Sequence, residues 1–176
     1  TVGHLTLKNR ILMGSMHTGL EDQEQGFEKL AIFYTERARE GLQLIVTGGF
    51  GVNEYALGMP EHAEFSTLCT PEQAANHRVI TDAVHAEGSH ILMQLLHVGR
   101  YDHGSGGVSA SSVESKLSNR SSRELSQQQI EQIIADYVRC ATLARDAGYD
   151  GVEVMGGEGY LINQFLAPLT NLRLDE

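Results

Sequence analysis

Tyr160 is the side chain best suited to chemistry. A phenol with an unperturbed pKa of about 10 keeps its proton at neutral pH, yet in a sheltered site it can deliver that proton to a developing carbanion. Tyr160 follows a glycine-rich run at 156–159 and precedes a short apolar helix expected over 161–166, which runs to Pro168. The same position also suits a tyrosine that merely packs at a helix start. Gln94 lies inside the apolar run 91–96, where a lone amide needs partners for both its donor and its acceptor. Neighbouring backbone is one way to supply them.

Around these two residues stand weaker candidates. Gly14, Ser15, Met16 and His17 close one apolar run, and Gly48 with Gly49 closes another. By themselves both read as strand-to-loop transitions, although glycine and serine also let a flat ligand approach the main chain. Met155 precedes the glycine run and Glu158 lies within it; a thioether cannot donate a hydrogen bond, and a carboxylate donates only when protonated. Plain packing and a solvated loop carboxylate account for them equally. Thr170, Asn171 and Arg173 form a polar stretch that needs no special role.

Other signals carry less. The run Gly156-Gly157-Glu158-Gly159 is not a G-x-G-x-x-G fingerprint, and residues 104–107 lack the lysine of a phosphate-binding loop. His97 and His103 frame a loop without the carboxylates or thiols that would complete a metal site, so no metal is expected. The net charge of -10 and the lack of a basic patch disfavour nucleic acid and anionic membranes as partners. No apolar run approaches the roughly 20 residues of a membrane span. Cys69 and Cys140 are too few for a disulfide framework or a four-thiolate cluster. Two reduced thiols in a cytoplasmic protein are the expectation.

The elements that must position these residues alternate. A first strand is expected within 6–19, ending at Gly14–His17. The apolar positions Phe27, Leu30, Ala31, Tyr34 and Ala38 predict a helix over 27–40. A strand at 42–47 stops at the glycines, and a long polar connection covers 50–69. Thr70-Pro71-Glu72-Gln73 is a capping box that opens a helix to about 87. Strand three follows at 91–96. Residues 101–124, rich in Ser and Gly, predict a small excursion. Ser126 and Gln129 cap another helix, which Gly148 stops and whose expected buried face holds Ile130, Ile133, Ile134, Tyr137, Val138, Ala141 and Ala144. Strand four spans 152–155, where Glu153 and Met155 share a face and Arg10 is the expected buried partner of Glu153. Alternating β and α elements imply a parallel sheet, either doubly wound or a (β/α)8 barrel.

Three stretches decide between these: NRILMGSMHTG at 9–19, QLLHVGRY at 94–101 and GYDGVEVMGGEGYLINQFLAPLTNLRLDE at 148–176. They resemble the old yellow enzyme-like NADH:flavin oxidoreductases, and among these the bacterial NADPH-dependent 2,4-dienoyl-CoA reductases. The resemblance implies a TIM barrel that binds FMN at the C-terminal ends of its strands, with residues 1–176 supplying only the first four strands. Open sheet edges invite association, so the isolated half-barrel is expected to be unstable and to retain no flavin.

The resemblance also implies roles. Gln94 would pair with the pyrimidine edge of FMN, with Gly14, Ser15, Met16, His17 and, more weakly, Gly48 beside the ring. Tyr160 would protonate the substrate after hydride transfer. Met155 and Glu158 replace the carbonyl-gripping pair of ordinary ene-reductases, and Met-Gly-x-Glu-Gly-Tyr matches the dienoyl-CoA reductases, which implies a thioester substrate. Thr170, Asn171 and Arg173 would line an acyl-CoA channel, or Arg173 would steady its loop through Asp175. NADPH electrons would arrive through FAD and a 4Fe-4S cluster, neither bound by this segment. Another ene-reductase, an amine dehydrogenase or a non-catalytic half-barrel module are the alternatives.

Overall fold

The computed structural model describes residues 1–58, 66–102, 107–116 and 120–175; His103 and Gly104 lie outside them. The chain runs β1 (Leu12–Met13), α1 (Gly26–Arg39), β2 (Leu44–Gly51), α2 (Pro71–Ala86), β3 (His90–Leu96) and a 3-10 turn at Gly99–Tyr101. Four two-residue strands follow: β4 (Val108–Ser109), β5 (Glu114–Ser115), β6 (Arg120–Ser121) and β7 (Arg123–Glu124). The chain then forms α3 (Gln127–Asp146), β8 (Gly151–Val154) and α4 (Leu161–Leu166). The main sheet is parallel in the order β1-β2-β3-β8. The expected excursion is the pair of small sheets β4-β7 and β5-β6.

Local chemistry sets the helices. Thr70 and Ser126 each accept from the backbone N–H three residues on, while Gln73 and Gln129 reach back to complete both capping boxes. Gly148 ends α3 with φ 93, and an added Cβ would sit 2.9 Å from the Thr81 hydroxyl oxygen, so this turn requires glycine. The core fills the space between the sheet and α1, α2 and α3, with Ile45, Phe50, Ile91, Met93 and Leu95 facing Leu30, Tyr34, Ile80, Val84 and Ala144. On α3 the buried side is Cys140, Leu143 and Ala144. Ile134 and Val138, expected inside, are 58% and 64% exposed. The apolar stripe of α3 is therefore wider than the surface its neighbours cover.

β2 departs furthest from its expected course. Instead of stopping at Thr47 it continues through Gly51. Val46 lies opposite Leu92 and Gly49 opposite Gln94, so Thr47 and Gly48 together face one residue, Met93. This is a β-bulge, and it reverses the in-out alternation of everything after it. Phe50 is thereby turned into the helix-facing core, where its ring meets His77 at 4.7 Å between centroids. The Thr47 hydroxyl repairs the broken ladder: it accepts from the Gln94 backbone N–H at 3.2 Å and donates to the Gly48 carbonyl at 2.8 Å.

Beneath the sheet, Asp150 joins three elements. Its carboxylate faces His85 Nε2 at 2.8 Å and His90 Nδ1 at 3.0 Å, and accepts from the Ile91 N–H at 2.9 Å. Burial pushes this carboxyl up, but the hydrogen bonds from His85, Ile91 and His90 together hold it below its ordinary range. Exposed apolar side chains belong mainly to the two edges of the main sheet: Ile11, Leu12 and Met16 beside β1, and Val154, Leu166, Leu169, Leu172 and Leu174 beside and after β8.

Among the described residues, His77 and His97 are buried in neutral form. Desolvation lowers His77 to about 3 and His97 to about 4. An unfolded histidine titrates near 6.5, so between that value and the folded ones the unfolded chain binds more protons. Stability should therefore fall as pH drops below about 6.5, by roughly 1 kcal/mol per pH unit for each ring, until the folded rings titrate. Thermal melts of the complete gene product from pH 7 to 5 should show this slope, and His77→Gln should reduce it. An identical slope in the variant would refute the assignment.

Candidate cofactor and active site

The C-terminal ends of β1, β2, β3 and β8 open onto one concave mouth. At its centre is Gln94, which the bulge places opposite Gly49 on one side and Glu153 on the other. Its Nε2 donates to Glu153 Oε1 at 2.7 Å and lies 3.7 Å from Met155 Sδ. Glu153 and Met155 therefore share the strand face expected of them. The expected Arg10–Glu153 pairing is not what forms: Arg10 is exposed, and Gln94 is the group that meets Glu153. Oε1 of Gln94 has no hydrogen-bond partner among the described residues.

Glycine provides the space. A Cβ on Gly49 would lie 2.9 Å from Gln94 Oε1, and one on Gly48 would lie 2.8 Å from the Met16 carbonyl oxygen. The β1 loop is thus held directly against β2. Gly14 meets nothing within 4 Å, so its surroundings are open. Ser15 is half-buried, and Met16 and His17 are exposed at the rim. His17 Nδ1 is 3.5 Å from Glu21 Oε1. The hydrogen bond that His17 donates to Glu21 raises the imidazole above its usual pKa against the effect of burial, and the carboxylates of Glu21, Asp22 and Glu158 add to the rise.

Tyr160 is the N-cap of α4, delivered by a turn in which Glu158 has φ 57 and Gly159 φ 79. Burial pushes its phenol above 10, and the Glu158 carboxylate and Tyr101 phenol push it further. The group is consequently a protonated donor at neutral pH. Tyr101 meets it edge-on, with centroids 6.0 Å apart. A side chain on Gly159 would come within 2.6 Å of the Tyr101 hydroxyl, which makes that glycine a requirement of the pair.

Behind Tyr160 is a residue that pattern reading did not single out. Gln164 is 1% exposed; it accepts from the Arg100 N–H at 3.1 Å and donates to the Gly159 and Val98 carbonyls at 2.7 and 3.2 Å. It joins the loop after β3 to the loop after β8. Its own carbonyl accepts from the buried Thr170 hydroxyl at 2.8 Å. Asn171 donates to the Phe165 carbonyl at 2.8 Å. Arg173 donates to the carbonyls of Ala110, at 3.2 Å, and Leu125, and pairs with Asp175. These three side chains spend their polar groups within the chain, and of the two roles open to Arg173 the contacts match the one through Asp175.

A cavity of about 720 Å³ lies away from this mouth, between the loop after β2, the excursion and α3. Asn53, Cys69, His97, Asp136 and Arg139 contribute to its wall. His97 and Gly99 of the loop after β3 line it, and neither Gln94 nor Tyr160 does.

A mouth of this kind, with small residues on two strands and a carboxamide turned inward, fits a flat heterocycle. Comparison with known proteins supplies the class: the NADH:flavin oxidoreductase / NADH oxidase model matches residues 1–176. The chain belongs to this family. It is 41% identical over 180 residues to a metal reductase of Desulforamulus reducens, covering 99% of this chain and 26% of that protein. It is 34% identical to an NADH oxidase of Thermoanaerobacter brockii, covering 99% and 28%. A morphinone reductase structure in complex with tetrahydroNAD superposes with a TM-score of 0.87 at 28% identity, covering 99% of this chain and 52% of the other. The α/β fold therefore matches the TIM-barrel enzymes of the old yellow enzyme type, and the chain spans about half the length of that solved relative.

Replacing Gln164 with Ala should strand the Arg100 N–H and two carbonyls at a cost of about 2 kcal/mol or more, whereas Thr170→Val should cost about 1 kcal/mol. Denaturant midpoints of the two variants check this ordering. Equal or negligible losses would remove Gln164 from its structural role.

Proposed function

We propose that residues 1–176 form the N-terminal half of an FMN-binding barrel in a cytoplasmic reductase of conjugated enoyl thioesters, a 2,4-dienoyl-CoA reductase. One observation carries this: a carboxamide with a free acceptor on β3 and a phenol kept protonated in the loop after the neighbouring strand β8 stand at the same end of one parallel sheet. The exposed apolar groups beside β1 and β8 are then the surfaces that the remaining strands would cover.

The residues present fit the cofactor. Gln94 would hold the pyrimidine edge of FMN; Gly14, Ser15, Met16 and His17 would lie along the ring, and Gly48 would keep the β1 loop in contact with β2. When bound, FMN supplies hydride transfer to the distal end of the conjugated system. Tyr160 holds a proton on Oη and offers it to the carbon next to the thioester carbonyl. Its backbone position at the start of α4 and its contact with Tyr101 set the direction of that proton. Met155 presents a thioether beside Gln94 where a donor would grip a free carbonyl, and Glu158 stands on the exposed turn before Tyr160. In this reading Thr170, Asn171 and Arg173 shape the acyl-CoA channel through the backbone they fix. NADPH, FAD and a 4Fe-4S cluster would act through parts of the protein outside these residues. The extra length of the metal reductase and NADH oxidase relatives is compatible with such parts.

An ene-reductase for free enones fits the family equally, and Met155 is the specific observation against it, since sulfur cannot donate to a carbonyl oxygen. An amine dehydrogenase and a half-barrel without catalysis are the remaining readings. Assay of the complete gene product on 2,4-dienoyl-CoA, cyclohexenone and a tertiary amine separates them; activity on only the latter two substrates rejects the thioester. Tyr160→Phe should leave FMN reduction by NADPH intact while slowing dienoyl-CoA turnover by about 10²- to 10⁴-fold. Unchanged turnover would exclude Tyr160 as the acid.

A further inference from the structure

We infer that Glu153 is a positioning residue that fixes which end of the Gln94 carboxamide faces the cofactor, and so makes Gln94 a hydrogen-bond acceptor there. The inference rests on the reading of the mouth as a flavin site. An amide can turn over and exchange its oxygen for its nitrogen at little cost, so a lone glutamine beside a ligand does not define donor or acceptor. A carboxylate removes that freedom. When ionised it accepts only, so the Gln94 atom 2.7 Å from Glu153 Oε1 must be the nitrogen. The Met155 sulfur, also a weak acceptor, stands on the same side at 3.7 Å. Both acceptors belong to one face of β8, whose register puts Glu153 directly across from Gln94.

The opposite end of the amide is left free by design of the backbone. Oε1 points to Gly49, where a Cβ would crowd it at 2.9 Å, and no described residue donates to it. The bulge is what brings Gly49 to this register. The Thr47 hydroxyl holds the Gln94 main chain at the same point, so backbone and side chain are both immobilised before any ligand arrives. An acceptor held in this way matches the single N–H on the pyrimidine edge of an oxidised flavin, at N3, and mismatches the ring carbonyls on either side of it. The site therefore selects the protonation and tautomeric state of the ring as well as its shape.

The test uses the complete gene product and measures FMN dissociation constants from quenching of flavin fluorescence, together with the visible flavin spectrum. Glu153→Ala and Gln94→Ala should each weaken FMN about tenfold and shift the spectrum alike. The double variant should be no weaker than Gln94→Ala, because Glu153 acts only through Gln94. Glu153→Gln, whose amide can turn either its donor or its acceptor toward Gln94, no longer fixes the orientation and should weaken FMN to within about threefold of the Glu153→Ala value. Free N3-methyl-FMN needs no variant: the parent should bind it at least tenfold more weakly than FMN, and Glu153→Ala should not weaken it further. Glu153→Ala indistinguishable from the parent, losses that add in full in the double variant, or N3-methyl-FMN bound as tightly as FMN would each overturn the inference. A parent protein that binds no FMN at all would instead overturn the flavin reading beneath it.

Discussion

One extra residue in β2 governs the mouth of this sheet. Without the bulge at Thr47-Gly48, strict alternation would carry Phe50 to the concave side and leave a gap against His77 in the core. With it, the aromatic stays in the core and a glycine faces Gln94. A bulge normally leaves one N–H without its ladder partner, and here the Thr47 hydroxyl accepts that N–H. Thr47 is fully buried, so an unpaired Gln94 amide at this point would cost the desolvation of the group in full. The irregularity and its repair are therefore one device, and the device decides what the ligand meets.

From that point two chains of hydrogen bonds lead outward. The first crosses β3 to β8 through Gln94 and Glu153 and stays within the sheet, so it inherits the rigidity of strands buried on the helix side. The second runs through loops, from Arg100 and Val98 by way of Gln164 to Gly159, and sets the position of Tyr160. A loop has no ladder to hold it. Full burial of Gln164 substitutes for one, because each of its three polar contacts would be costly to break away from water. Gln94 and Tyr160 are thus placed by different physical means on neighbouring elements.

Much of the architecture was legible in the sequence where local chemistry is self-sufficient. The capping boxes at Thr70 and Ser126 and the helix stop at Gly148 depend on contacts within a few residues, and both helices begin where those signals put them. The 161–166 helix was also legible, since Pro168 forbids its extension. The course of β2 was not, because a bulge breaks the period on which strand reading relies. Ile134 and Val138 satisfy a helical apolar face, yet whether such a face is covered depends on neighbours that periodicity does not name. Glu153 was matched with Arg10 on charge alone. The register between β3 and β8 gives it an amide instead.

The same contrast explains which candidate residues the fold draws together. Gln94, Met155 and the glycines of β2 converge because they lie at fixed registers on adjacent strands, and a register once set places every alternate side chain. Thr170, Asn171 and Arg173 follow the last helix, where no strand ladder holds the backbone and the main-chain bonds are those of the turn in which the Thr170 and Asn171 N–H groups donate to the Ala167 carbonyl. Each accordingly caps a carbonyl, and Arg173 reaches as far as the small sheet to do so. Polar residues after a short helix therefore carry two meanings that sequence cannot separate: they serve a ligand, or they replace the ladder that a loop lacks. Here the hydrogen bonds show the second at work, since each side chain is bound to a carbonyl of its own chain.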